Sequence, residues 1–275
     1  MTSAYEWEGP VGDVWAREWR RTDRSWSAMS PYLDAAILAV APERGRAVDI
    51  GCGAGETSLS LASTRPGLDI TGIDIAAALI AIARERGEGI SNLAFAAGDV
   101  TEMLPGLAPV DLLFSRHGVM FFPDPAAGFA ALRNATRPGG RIVFSCFREA
   151  SLNGWAEELI GAVTGERLKL PEGYAPGPFA FADPAFVTGM LQDAGWRDCE
   201  KQAVDFPYRA GEGPDPIADA LDFFRSIGPT APLLRAMPPE ARPAAMARFA
   251  EVVAHHHQHG AVDFPAAAWI WTARA

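Results

Sequence analysis

The sequence predicts an α/β protein: a mostly parallel sheet with helices on both faces, enlarged by helical additions. Three observations carry this. Over residues 46–147, short apolar runs alternate with helix-like stretches across short links, the pattern of consecutive βα units. The first run ends in a glycine-rich turn that opens a helix, VDIGCGAGETS at 48–58. The composition is that of a folded chain, with 275 residues, 49% hydrophobic and 21% charged, enough for one large domain or a core with a cap.

The elements follow in order. Residues 11–40 are helical in pattern and interrupted at Pro31. RAVDI (46–50) is a strand and GETSLSLASTR (55–65) a helix; DITGIDI (69–75) is a second strand and AAALIAIARER (76–86) a second helix, closed by Gly87. LAFAA (93–97), VDLLFS (110–115) and RIVFSCF (141–147) are further strands. AAGFAALRNATR (126–137) reads as a helix stopped by Pro138-Gly139-Gly140. WAEELIGAVTGE (155–166) is a helix followed by the loop PEGYAPGPFAFADP, and PAFVTGMLQDAG (184–195) a helix with Pro in its first turn. CEKQAVDF (199–206) and AAWIWTARA (267–275) read as closing strands, with a mostly helical insertion at 211–260.

Several function classes are disfavoured. The longest strongly apolar stretch, Ile75–Ala83, is too short to span a bilayer, so no membrane partner is expected. The start, MTSAYEWEGP, shows no basic region followed by an apolar one, and a cytoplasmic protein is expected. Cys52, Cys146 and Cys199 are odd in number and match no zinc spacing, which reads as free thiols and no metal. A net charge of −10 argues against a nucleic-acid partner. His255, His256, His257 and His259 resemble a metal cluster, but consecutive helical residues point in different directions. Only His255 and His259, at i and i+4, share a face, and a polar helix end is the simpler reading. The oligomeric state stays open, a dimer included. Four tryptophans (Trp7, Trp15, Trp19, Trp26) crowd into the first 26 residues.

The glycine turn decides between ligands. Glycines let backbone approach a ligand, and a helix N-terminus offers free N–H groups. A dinucleotide site starting at Gly51 would demand Gly or Ala at 56; Glu56 would instead repel a diphosphate. No Gly-Lys-Ser/Thr follows for a P-loop. What stands there is D-x-G-x-G-x-G: Asp49, Gly51, Gly53 and Gly55. This resembles the first motif of the class I S-adenosylmethionine-dependent methyltransferases, whose cofactor has no phosphate and carries a sulfonium and an ammonium.

Further stretches extend the resemblance over residues 45–147. Asp74 ends the second strand, Gly98-Asp99-Val100 follows the third, Ser115-Arg116-His117 follows the fourth, and LRNATRPGGRIVFSCF covers the next helix, turn and strand. SRHGVMFFPDP is similar to a bacterial subgroup acting on small molecules, where the position of His117 is often aromatic. The resemblance implies a Rossmann-like, seven-stranded, mostly parallel sheet in the order 3-2-1-4-5-7-6, with strand 7 antiparallel. It implies a helical cap at 1–40, a cofactor-binding core at 41–147, an insertion over the active site at 148–182, and completion of the core at 183–275. It further implies cofactor contacts from Asp49, Gly51, Cys52, Gly53, Gly55, Asp74, Ile75, Asp99, Val100 and Ser115. In the family, the carboxylate at Asp74 takes the ribose hydroxyls and that at Asp99 the adenine amino group. The backbone N–H of Cys52 is expected to face the cofactor.

Methyl transfer from a sulfonium is an in-line displacement with a neutral leaving group, giving S-adenosylhomocysteine; the protein must align the partners and exclude water. O- or N-methylation of a small-molecule acceptor is expected beneath a helical lid. His117, just past a strand end, is the candidate base, with a structural histidine as the plainer reading. Trp15, Trp19, His117, Phe121, Trp155, Tyr174 and Phe179 are candidate pocket residues, although aromatic pairs more often lie in a core. The alternatives are a cofactor-binding module without catalysis and an NAD(P)-dependent oxidoreductase, which Glu56 disfavours.

Overall fold

The apolar run at 46–50 becomes the centre of the sheet. In the computed structural model, which describes residues 7–275, β1 (Gly45–Ile50) pairs in parallel with β2 (Leu68–Asp74) on one side and β4 (Val110–Arg116) on the other. The first six residues of the expected cap lie outside the described residues. β3 (Leu93–Ala97) extends the sheet beyond β2, and β5 (Thr136–Phe147) beyond β4. β8 (Ala261–Arg274) then inserts antiparallel between β5 and β6 (Arg197–Gly211). The order is β3-β2-β1-β4-β5-β8-β6, the expected one; the two-residue β7 (His257–Gln258) pairs only with β8 and shifts its number by one.

Helices cover both faces, so consecutive residues of the central strands are buried rather than alternating between core and solvent. Val48, Ile50, Leu112, Leu113, Phe114, Ile142 and Phe144 are all buried. Against them pack α3 (Ser30–Val40), α4 (Glu56–Thr64), α5 (Ala77–Arg86), α6 (Val100–Leu107), α7 (Pro125–Ala135), α8 (Gly154–Thr164) and α9 (Pro184–Asp193). The expected elements include none at 100–107; Asp99 starts α6 there by capping Thr101 N at 2.7 Å, with Pro105 inside the helix. Ahead of α3 come α1 (Pro10–Arg17) and α2 (Trp19–Trp26). Pro31 does not interrupt a helix but sits in the first turn of α3, where a missing N–H costs nothing. The breaks fall at Glu18 and at Ser27–Met29.

β6 and β8 run longer than the sequence suggests. Pro207 and Pro265 look like breakers, yet they face each other in the register. Two residues without N–H fit a non-hydrogen-bonded antiparallel pair and lose no ladder bond. Since β5 ends opposite Ala268, the stretch from Ala261 to Ala267 and its partners on β6 form a two-stranded ribbon above the carboxyl edge of the sheet. Buried Asn153 ties this ribbon down: its Oδ1 accepts from Ala267 N at 3.1 Å, and its Nδ2 donates to Glu149 O at 3.0 Å. The 211–260 insertion, α10 (Pro216–Ser226), α11 (Thr230–Ala236) and α12 (Arg242–His255), connects the ribbon's ends.

The chain leaves β1 toward β2 and leaves β4 toward β5, so the gap between β1 and β4 is the switch point where open α/β sheets bind ligands. Here two backbones nearly touch. A Cβ on Gly51 would stand 2.9 Å from Gly118 Cα, and one on Gly118 would stand 2.5 Å from Ile50 O. Ser115, fully buried, pins the approach: its hydroxyl donates to Ile50 O at 2.7 Å and accepts from Gly118 N at 3.1 Å. Ser115→Ala orphans both groups and is expected to lower stability by about 2–3 kcal/mol, read as the urea midpoint.

Candidate active site

The turn after β1 holds Gly51, Gly53 and Gly55 at φ +64°, +54° and +85°. Gly55 is packed against Phe95, whereas a Cβ at Gly53 would meet no atom within 4 Å. Gly53 therefore presents bare backbone to open space. Its N–H donates to Asp74 Oδ2 at 2.8 Å, and Ala76 N donates to Asp74 Oδ1 at 2.9 Å. Burial raises the Asp74 pKa against these two bonds. Each carboxylate oxygen keeps a further lone pair. Ile75 follows at the same edge, half-buried, and Val100 is buried in the first turn of α6. Asp99 is exposed; its Oδ1 is committed to Thr101, which leaves Oδ2 for a ligand.

Two expected contacts are otherwise engaged. The Cys52 N–H, expected to face the cofactor, donates to Ile73 O at 3.0 Å, and the thiol is buried with Ile80, Ala83 and Phe95. The Ser115 hydroxyl is consumed by the β1–β4 junction.

Asp49 lies beneath the turn, 1% exposed. Its Oδ2 accepts from Ser58 Oγ at 2.6 Å, while Oδ1 is buried without a partner among the described residues. Burial raises its pKa to about 7, opposed by Ser58 and Arg116. Arg116 ends β4 and donates from Nη2 to Asp23 Oδ1 at 2.6 Å; its Nη1 is another buried orphan among the described residues. Arg86 holds the second oxygen of Asp23 at 2.9 Å and also reaches Glu56 and Ala54 O. Glu56, at the helix start, is thus neutralised by an arginine.

His117 adopts φ +63°, unusual for a non-glycine residue, and is 6% exposed. Its Nδ1 pairs with Ser145 Oγ at 2.7 Å, and Nε2 is a buried orphan among the described residues. Its ring lies 4.1 Å from Trp26 and 4.5 Å from Phe147. Burial, and then Arg116, hold the imidazole pKa well below its usual value. The base expected from the sequence is therefore a neutral imidazole that resists protonation.

The candidate pocket residues divide into three places. Trp15 and Trp19 pack over Ala54, Ala76 and Leu79, and so roof the glycine turn rather than an acceptor pocket; Trp19 also stacks against Arg86 at 4.3 Å. Phe121 meets Trp7 edge-on at 5.1 Å. Trp155 and Phe179, 5.9 Å apart, flank Phe147 beside His117. Tyr174 turns away, donating to Phe122 O and stacking on Phe186. The tryptophan that reaches His117 is Trp26, joined by Phe206 and Tyr208 of the ribbon. Trp26, Ser145 and the Asp23–Arg116 pair are not assigned from the sequence, because their roles depend on segments 28 to 180 residues apart meeting at one edge. At the far side, α12 ends at His255, so His255 and His259 never share a helix face; His256 instead meets Glu158 at 2.8 Å.

The raised Asp49 pKa has a testable sign. Its folded value of about 7 exceeds the reference 3.8, so the folded state keeps a proton that the unfolded chain loses. Stability of the cofactor-free protein is expected to fall between pH 4 and 7 by up to roughly 4 kcal/mol from this group, and Asp49→Asn to flatten that slope in urea titrations.

A family model described as a methyltransferase domain matches residues 43–173. The demethylmenaquinone methyltransferase of Beutenbergia cavernae is 30% identical over 188 residues, covering 64% of this chain and 73% of that enzyme. The trans-aconitate 2-methyltransferase of Deinococcus radiodurans is 36% identical over 106 residues, but this match covers only 38% of this chain and 39% of that enzyme. The Haemonchus contortus phosphoethanolamine N-methyltransferase 2, solved with S-adenosyl-L-methionine, shares the fold at a TM-score of 0.52 and 17% identity, over 96% of this chain and 57% of that one. With the glycine turn, the strand order and these relatives in agreement, the chain belongs to the class I S-adenosylmethionine-dependent methyltransferases.

Proposed function

We propose that the protein methylates an oxygen of a small organic acceptor beneath its helical cap. The observation that carries this is the set of unpaired groups at the β1–β4 switch point: the open cradle at Gly53, the orphaned Asp49 Oδ1 and the orphaned Arg116 Nη1. A buried carboxylate oxygen and a buried guanidinium nitrogen, each lacking a partner among the described residues, are complementary to the ammonium and carboxylate of an amino acid. The residues present therefore fit S-adenosylmethionine, which supplies a methyl group on a positively charged sulfur and leaves as a neutral thioether.

In this reading Asp49 and Arg116 hold the amino-acid end, the Gly53 backbone passes beside it, and Asp74 offers its free lone pairs to adjacent hydroxyls. Asp99 Oδ2 and the apolar Val100 and Ile75 accommodate the base. The acid-rich surroundings suit a ligand with two positive centres, which agrees with Glu56 standing where a diphosphate would need Gly or Ala. The cap excludes water: Trp15 and Trp19 lie over the turn, and α2 is bolted on both flanks, by Asp23 to Arg116 and Arg86, and by Arg21 and Arg24 to Asp219 of α10. The relatives named as acting on demethylmenaquinone and trans-aconitate support a small organic acceptor.

Calorimetry with S-adenosylhomocysteine tests the site. Gly53→Ala and Arg116→Met are expected to weaken binding at least about tenfold while the protein stays folded; unchanged affinity in both would overturn the assignment. Methyl-labelled cofactor and the small-molecule fraction of a bacterial extract test the activity: label must appear in an organic product. Binding without any labelled product would favour the non-catalytic module. Asp219→Ala tests the lid, with an expected loss of turnover and a cofactor affinity within about threefold of the wild type.

A further inference from the structure

The geometry points to an acceptor that arrives already ionised, a carboxylate on a flat apolar body, whose oxygen is held by the Nε2–H of a neutral His117. This rests on the methyltransferase reading and adds to it the chemical class of the acceptor.

Ser145 is fully buried, and His117 Nδ1, at 2.7 Å, is its hydroxyl's only hydrogen-bond partner among the described residues. If Nδ1 carried the hydrogen, the serine hydrogen and the Nε2 lone pair would both be buried without partners. If the serine donates to Nδ1, a single group is left over, the Nε2–H. Each buried orphan is costly, so the second arrangement is preferred. Ser145 is thereby a positioning residue that makes Nε2 a donor.

A donor needs a lone pair opposite it, and this donor cannot readily become an acid–base pair. The ring is enclosed by Trp26 and Phe147, and Arg116 is the charged neighbour that disfavours an imidazolium. A neutral hydroxyl or ammonium acceptor would have to lose a proton on reaction, and His117 is poorly placed to take it. A carboxylate has no such proton. One of its oxygen lone pairs forms the bond to the methyl carbon while the carbon–sulfur pair withdraws onto sulfur. The negative charge of the acceptor and the positive charge of the donor cancel, and no proton moves. The low-dielectric surroundings strengthen the attraction between these opposite charges.

The aromatic rings packed around His117, with Trp26, Phe147 and Trp155 each at most 6% exposed, supply the rest of the class. Phe147 continues into Trp155 at 4.8 Å and Phe179 at 5.9 Å, and Trp26 covers His117 from the cap. Flat aromatic faces of this kind match a planar, apolar body with one polar end.

The test uses the full chain saturated with S-adenosylhomocysteine and labelled with nitrogen-15 at histidine. Long-range proton–nitrogen spectra are followed from about pH 5 to 8, then with benzoate or its uncharged analogue benzamide at millimolar concentration. The expected result is a His117 that stays neutral with its hydrogen on Nε2, and a benzoate that shifts this resonance and binds at least about tenfold more tightly than benzamide. His117→Phe should abolish the preference while S-adenosylhomocysteine still binds. A hydrogen on Nδ1, protonation above about pH 6, equal binding of the two probes, or no benzoate binding would each overturn the inference. Failure to bind S-adenosylhomocysteine, read separately by calorimetry, would overturn the cofactor site and this inference with it.

Discussion

Everything at the carboxyl edge depends on how closely Gly51 and Gly118 approach. β1 and β4 are neighbours whose chains depart in opposite directions, and each must turn immediately after its strand. Side chains at either position would push the two turns apart, since a Cβ on Gly51 would lie 2.9 Å from Gly118 Cα. With both absent, Ser115 can bridge Ile50 O and Gly118 N. That junction sets Asp49, Arg116 and His117 at the same carboxyl edge, with Arg116 acting electrostatically on both of the others. The orphaned atoms of these three side chains are thus a consequence of a well-bonded frame rather than of a loose one.

The second organising feature is the use of arginine within an acidic chain. Arg116 and Arg86 share Asp23 of α2, and Arg86 also offsets Glu56. The same helix carries Arg21 and Arg24, which grip Asp219 of the distal insertion. α2 therefore couples the glycine turn to the β6–β8 ribbon, and a shift of this one helix is felt by Trp19 over the turn and by Trp26 over His117. Partly buried ion pairs of this sort hold orientation more than they add stability, because desolvation offsets much of their attraction.

The fold was largely legible because its signals are local. The alternation of strands and helices, the glycine spacing after β1 and the aspartate ending β2 each lie within a window of about ten residues. Local rules fail where they meet a tertiary exception. Pro31 starts a helix instead of breaking one, and Pro207 and Pro265 are tolerated because they face each other across the ribbon. α6, capped by Asp99 and with Pro105 inside it, is absent from the expected elements. Among the aromatic residues, spacing could place Trp15 and Trp19 on one face, but not decide whether that face meets the glycine turn or the rings around His117.

The sequence by itself determined the βα core, the strand that ends in the glycine turn and the acidic character of the residues around that turn, because backbone propensity and short-range spacing encode them. Only the tertiary structure decided what those groups can do. Whether Asp49 is ionised depends on its burial, whether Cys52 or Ser115 is free depends on carbonyls from β1 and β2, and whether His117 can act as a base depends on Ser145, Trp26 and Phe147 around it. Solvation and hydrogen-bond partners are properties of an environment assembled from distant segments, and the residue letters do not carry them.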